Sequence, residues 1–254
     1  MKRRFRRTYT VRYDECDCYE FLTPATFLRY LQDIAALDAE DAQLSGEGYW
    51  VAKRTVFSFA VPVPVHSRLE LETSLLDFTR ITAQRSYEAW MVGDHHEEPI
   101  VSARTLWVYL NTRGRPTRLP EHMASIWLPD GPLPPQAETS RVIFPESRPE
   151  STHCTVRFSD IDSMKHMNNA AYVEALDNAA WEAYGKVGIT PDAVTIHARE
   201  YDIEYVESAL FGEQVEIQSW IDPFPSAGQE CTRLQQIKRG DVVLVRARSR
   251  WYCQ

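Results

Sequence analysis

Asp160, Asp162, His166, Asn168 and Asn169 crowd two carboxylates, an imidazole and two carboxamides into ten residues. A carboxylate and an imidazole can orient a water molecule or take its proton. Carboxamides and free backbone amides can donate hydrogen bonds to an oxyanion. Thr155 to Phe158 alternate as a half-buried strand does, and Tyr172, Ala175, Leu176, Ala179 and Ala183 recur at helical spacing after Asn168 or Asn169, either a good cap. The expected order is therefore strand, polar turn, helix. The free N–H groups and the positive end of the helix dipole then face the turn. Packing alone does not call for so many polar groups ahead of an apolar helix.

Ser159-Asp-Ile-Asp, followed by His166-Met-Asn-Asn and Tyr172, resembles the signature of hotdog-fold thioesterases, most closely the acyl-acyl carrier protein (acyl-ACP) thioesterases of fatty acid synthesis. The resemblance implies a catalytic Asp, Asn and His here, then a Glu with a neighbouring Cys on a following strand. The Asp falls on Asp162 and the His on His166, but the Asn falls on Met164, which carries no amide. The Glu–Cys pair falls on Glu207 and Ser208 within Tyr205 to Ala209, a stretch without cysteine, so attack by water is expected rather than by a thiolate. The expected catalytic set is Asp162, His166, Asn168 and Glu207. Asn168 serves equally well as a helix cap, Asn169 supports the turn, and Glu207 also reads as an exposed strand residue. His166 is expected to act as base or as donor to the leaving thiol, and Asp162 to activate water or hold the imidazole.

An internal repeat supplies a control. Thr10 to Ala35 align without a gap on Thr155 to Ala180 at an offset of 145, with identities at Thr10/Thr155, Val11/Val156, Arg12/Arg157, Asp17/Asp162, Ala25/Ala170, Leu31/Leu176 and Ala35/Ala180. Opposite His166 stands Phe21, and opposite Asn168 and Asn169 stand Thr23 and Pro24. The first copy keeps a capping residue and has no imidazole or amides. Capping therefore does not require them, whereas Asp17 warns that Asp162 also has a turn-forming use.

Each copy reads as a strand, a turn, a long helix and then alternating strands, an α+β pattern. In the first copy these are a strand near Thr8 to Tyr13, a helix capped by Thr23 with Pro24 in its first turn and ended by Gly46 or Gly48, and strands around Val56 to Val61, Leu69 to Thr73, Arg85 to Trp90 and Val101 to Tyr109, with a turn at Gly93-Asp94. In the second, the helix ends near Gly185 or Gly188, and strands follow near 196–206, 213–221, 230–238 and 242–252. Eight of the fifteen prolines lie between Pro116 and Pro149, so residues 113–152 cannot hold a central strand or a long helix. They form a connection, extended except for a short helix near Glu121 to Ile126. The organisation expected is a module at 1–112, the connection at 113–152 and a second module at 153–254 carrying the catalytic turn. With the resemblance, this becomes a tandem double hotdog, each module a long helix wrapped by an antiparallel sheet. The modules would pair as an internal pseudo-dimer, with further association into a homodimer left open.

Composition narrows the function. The net charge of −8 disfavours nucleic acid as a partner. The apolar runs fall short of the roughly 20 residues of a membrane span, and the basic start has no apolar segment behind it, so neither a span nor a signal peptide is expected. Five cysteines at 16, 18, 154, 231 and 253 lack metal-site spacing and read as free thiols in a reducing cytoplasm, with no metal or cofactor. The resemblance implies hydrolysis of fatty acyl-ACP to free fatty acid, with acyl-CoA hydrolysis or non-catalytic acyl binding as the alternatives. It also implies an acyl tunnel in the first module, where Phe27, Leu31, Phe57, Phe59 and Trp107 could serve as wall or as core. For the acidic carrier protein it implies a basic rim, for which Lys2, Arg3, Arg4, Arg6 and Arg7 form one cluster and Arg113, Arg115 and Arg118 another.

Overall fold

A computed structural model describes residues 2–44, 46–93, 98–131 and 141–254. The first copy runs β1 (Phe5–Thr10), α1 (Pro24–Asp41), β2 (Tyr49–Phe59), β3 (Arg68–Phe78), β4 (Thr82–Met91) and β5 (Val101–Leu110). A short helix α2 (Met123–Trp127) follows. The second copy runs β6 (Glu150–Thr155), α3 (Asn169–Lys186), β7 (Ile196–Tyr205), β8 (Gln214–Asp222), β9 (Glu230–Arg239) and β10 (Val242–Cys253). Asp94 of the expected Gly93-Asp94 turn, and residues 132–140 of the connection, lie outside the described residues.

The ten strands of the described residues form one antiparallel sheet in the order β1-β3-β4-β5-β2-β7-β10-β9-β8-β6. The halves meet where β2 pairs β7, from Arg54↔Glu204 to Ser58↔Glu200. That seam is fastened by a bidentate ion pair, Arg54 Nε and Nη2 to Asp202 Oδ1 and Oδ2 at 2.8 and 2.7 Å. Helices α1 and α3 also touch, and Arg29 donates to Glu174 at 2.7 Å between positions that are equivalent in the repeat. The helices and the inward strand residues share one core, in which Phe27, Phe57, Phe59 and Tyr201 interleave their rings across the seam. Truncating Phe57 to Ala would cost about 3–5 kcal/mol.

Both expected opening strands end early. β1 stops at Thr10 and β6 at Thr155. Beyond them Val11 and Val156 drop into the core, and a 3-10 turn follows at Tyr13–Glu15 and at Phe158–Asp160. The carboxylate closing each turn accepts the backbone N–H of the Arg that opens it: Glu15 from Arg12 at 2.9 Å, Asp160 from Arg157 at 2.7 Å. Alternation continued in the sequence past the point where the backbone turns away.

Thr23 caps α1, accepting from Thr26 N at 3.2 Å, with Pro24 first in the helix. The helix ends at Asp41 rather than at a glycine, because Gln43 takes the left-handed conformation (φ 51°) that terminates the turn. Gly48 has another use: a Cβ there would lie 2.3 Å from the Leu110 carbonyl. In the second copy Gly188, at φ 81°, does follow the end of α3. No helix among the described residues is long and apolar enough to cross a membrane.

Candidate active site

The turn before α3 is built by its own backbone. Asp162 N donates to His166 O (3.0 Å), Lys165 N returns to Asp162 O (2.9 Å), and Lys165 sits at φ 64°. Met167 N bonds Ala209 O at 2.9 Å, tying the turn to the segment after β7. The Asp162 side chain works within this frame. Its Oδ1 accepts Met164 N at 2.9 Å and its Oδ2 accepts Asn168 Nδ2 at 3.3 Å. Asn168 caps α3 through Oδ1, which takes Ala170 N at 2.9 Å.

That arrangement revises two expectations. The Asp162 carboxylate is engaged by a backbone amide and by Asn168, with no hydrogen bond to the imidazole among the described residues. Asn168 does not line the cavity described below, whereas Asn169 does. Of the two uses expected for Asn168 the cap is the one it makes, and Asn169, expected to support the turn, faces the open space. Of the first amides of α3, Ala170 N is taken by the cap and Ala171 N by Asn168 O, which leaves Asn169 N without an intramolecular partner among the described residues.

His166 is half-buried, and its ring has no hydrogen bond among the described residues. It opens into a cavity of about 870 Å³ together with Asp162, Met164, Asn169, Tyr172, Tyr205 and Glu207. Pairing of β2 with β7 stops at Arg54↔Glu204, which leaves a gap in the ladder beyond it. A bulge lies between Ala52 and Arg54 of β2, and Lys53 there donates to Tyr205 O at 2.9 Å. The gap brings Lys53 to the same cavity as Glu207 and Ser208. Glu207 follows β7 rather than lying on it and is exposed at the mouth, while Glu204 is engaged by Arg246 at 3.1 Å.

From this mouth the cavity extends into the first copy. Gln32, Ala35, Ala36 and Ala39 of α1 line it, one helical stripe at i, i+3, i+4 and i+7. Trp50, Trp107 and Trp127 complete much of its apolar wall. Of the residues expected in a tunnel wall only Trp107 lines it; Phe27, Leu31, Phe57 and Phe59 are core. Gln32 joins the copies, since its Oε1 lies 3.4 Å from the amide nitrogens of both Asn168 and Asn169.

Sequence reasoning missed Gln32 and Lys53. Gln32 was legible as the one polar member of an otherwise alanine stripe. Lys53 depends on a bulge, which alternation does not reveal. Four residues of the first basic cluster make ion pairs: Arg3 with Asp38 and Asp41, Arg4 and Arg6 with Glu72, and Arg7 with Asp33. Arg113 and Arg115 are exposed beside Gly114 and Pro116, which line the cavity. Among the described residues no group of His, Cys, Asp and Glu is arranged to hold a metal ion.

Comparison with known proteins agrees with this architecture. Residues 2–126 match the model of the acyl-ACP thioesterase N-terminal domain, and residues 156–250 that of the thioesterase-like superfamily. No curated protein matches the sequence significantly. Among solved structures, a 12:0-ACP thioesterase from Umbellularia californica superposes with a TM-score of 0.78 at 18% identity, covering 99% of this chain and 94% of that one. An acyl-ACP thioesterase from Bacteroides thetaiotaomicron gives 0.74 at 17%, covering 98% and 97%. A Lactobacillus plantarum structure assigned as an oleoyl thioesterase gives 0.84 at 16%, covering 99% and 95%. At these identities the superpositions establish a hotdog-like fold. The family follows from the two models together: the chain belongs to the acyl-ACP thioesterases, hydrolases that release fatty acids from acyl carrier protein in fatty acid biosynthesis.

Proposed function

We propose that the chain is a tandem double hotdog, with modules at 1–112 and 150–254 joined by 113–149, the second starting ahead of the expected 153 because β6 begins at Glu150, and that acyl-ACP is hydrolysed at the turn of the second module while the acyl chain occupies the interior of the first. The observation that carries this reading is the single cavity shared by His166, Glu207 and the alanine stripe of α1. The thioester carbonyl lies at the mouth, near the N-terminus of α3. Glu207 takes a proton from water as its oxygen bonds to the carbonyl carbon. The oxyanion is held by Asn169 N–H and by the positive helix end. As the tetrahedral intermediate collapses, the C–S bond breaks and His166, protonated before the step, delivers its proton to the thiolate, giving free acid and carrier thiol; Glu207 then releases its proton and His166 regains one through solvent. A thiolate is a good leaving group, so this modest set of groups suffices.

Asp162, Asn168 and Gln32 act by position: the first two fix the turn and the cap, and Gln32 holds Asn169 from the other module. Lys53, Lys165, Arg113 and Arg115 near the mouth form the rim for an acidic carrier. Five free thiols fit a cytoplasmic setting.

The test is kcat/KM for a C8 to C18 series on ACP and on CoA, with Glu207→Gln beside the wild type. The expected result is faster turnover from ACP and a loss of about 10²-fold or more in the variant. Preference for CoA would make the chain an acyl-CoA thioesterase, and a fully active Glu207→Gln would remove Glu207 as the base.

A further inference from the structure

The far end of the cavity is closed by charge. Arg85 of β4 and Met123 and Trp127 of α2 line the cavity there. Behind them Asp38 is fully buried, and both of its oxygens are taken. Oδ1 accepts Arg3 Nε at 2.7 Å, while Oδ2 accepts Arg85 Nη1 at 2.5 Å and Trp127 Nε1 at 2.6 Å. The guanidinium groups of Arg3 and Arg85 lie 6.0 and 5.5 Å from the Trp127 ring centroid. Arg3 N also donates to Trp127 O at 3.4 Å. Four segments distant in the chain meet here, and the one that supplies the indole is the connection.

The two ends of the cavity therefore differ in mechanical character. Alanines at 35, 36 and 39 leave room for a chain along about 10 Å of helix from Gln32 to Ala39. An apolar wall can repack to admit another methylene. A buried, fully paired ionic cluster cannot, because displacing one member strands the charge of another.

We propose that the Asp38–Arg85–Trp127 cluster is the stop against which the methyl end of the acyl chain rests, and that α2, through Met123 and Trp127, sets the longest chain the enzyme accepts. This rests on the acyl-ACP hydrolysis argued above. The connection is then part of the specificity apparatus as well as a tether.

The test compares wild type with Met123→Ala, Ala39→Leu and Trp127→Phe on the C8 to C18 acyl-ACP series, with thermal melts as a check of folding. In parallel, dissociation constants for free C8 to C18 fatty acids are read from the fluorescence of the tryptophans lining the cavity. Met123→Ala should raise the ratio of long-chain to short-chain kcat/KM by about tenfold or more, and Ala39→Leu should lower it as much. Trp127→Phe, which loses its bond to Asp38, should blur the upper limit. If acyl-ACP is not hydrolysed but the fatty-acid affinities cut off and shift in these directions, the stop stands and the enzymatic reading fails. If hydrolysis is robust while Met123→Ala and Ala39→Leu fold normally and keep the wild-type profile in both measurements, the stop is overturned.

Discussion

The two turns are close to superimposable in their bonding and differ in what they carry. Asp17 N bonds Phe21 O at 2.8 Å as Asp162 N bonds His166 O at 3.0 Å, Glu20 and Lys165 are both left-handed, and Thr23 N bonds Glu15 O as Asn168 N bonds Asp160 O. Both turns thus use an Asp side-chain oxygen and a left-handed residue, and the first is built without an imidazole. The two interiors differ in the opposite sense. The first holds the cavity. In the second, fully buried Arg233 reaches Asp177 at 3.0 Å and Tyr184 at 2.7 Å and stacks 3.9 Å from the Trp251 ring centroid, while Gln235 bonds Leu176 O and Ser219. In the function proposed above, one copy supplies the room and the other the chemistry.

The sharpest break of this comparison is an exchange at one position. His166→Ala should lower kcat/KM on acyl-ACP by about 10²- to 10⁴-fold with little effect on the melting temperature, because its ring holds nothing in place. Phe21→His, which puts an imidazole on the equivalent turn, should add no activity, since Trp181 and Tyr184 stand in α3 where α1 has the cavity-lining Ala36 and Ala39. Activity in a Phe21→His/His166→Ala double variant would show that the copies are functionally equivalent.

The filled interior makes a second, smaller prediction. Burial pushes the Asp177 carboxyl up to about 6, against the pull of Arg233, whereas the equivalent position in the first copy is Gln32, which does not titrate. An unfolded Asp titrates near 3.9. Between about pH 4 and 6 the folded chain therefore holds a proton that the unfolded chain has lost. The contribution of this group to stability is greatest below that window and is lost as pH rises through 6, by about 3 kcal/mol in all. Urea unfolding from pH 4.5 to 7 should show a steeper fall in wild type than in Asp177→Asn. Identical slopes would mean that the carboxyl is ionised throughout and firmly paired with Arg233.

Much of this was legible in the sequence because both copies repeat the same local instructions. Thr23-Pro24 and Asn168 announce helix starts whatever surrounds them, and the alternating runs that became β4, β8 and β9 bury every second residue, whereas β3 is buried without a break from Leu71 to Leu76. Asp162, His166 and Glu207 were singled out by motif and register, and the structure places all three on the lining of one cavity. What escaped depends on distant contacts. Asn168 and Asn169 are adjacent and either could cap the helix; which one does decides which faces the cavity. Phe57 and Trp107 look alike as large apolar strand residues, yet one packs in the core and the other borders open space. Trp127 lies in a proline-rich stretch that composition marks as connection, and its burial against Asp38 requires residues about 40 and 90 positions away in the chain. The early ends of β1 and β6 were hidden because the residues after them keep the alternation of a strand.

The finest distinction between the copies lies in how each turn uses its carboxylate. Asp17 spends one oxygen: Oδ1 accepts both Tyr19 N at 2.9 Å and Phe21 N at 3.0 Å. Burial also raises its pKa, so the negative charge is carried at some cost. Asp162 spends both oxygens, on Met164 N and on Asn168 Nδ2. Asparagine offers a single acceptor oxygen and two donors. Asp17→Asn keeps both turn bonds and sheds the buried charge, so its stability should stay within about 0.5 kcal/mol of wild type. Asp162→Asn sets two carboxamide NH₂ groups against each other and should cost about 1 kcal/mol. Because the loosened cap also moves Asn169, kcat should fall while the first-copy variant keeps wild-type turnover. Equal melting temperatures and equal kcat for the two variants would mean that Asp162 is no more than a turn residue, and that the second copy owes its chemistry to His166 and Glu207 alone.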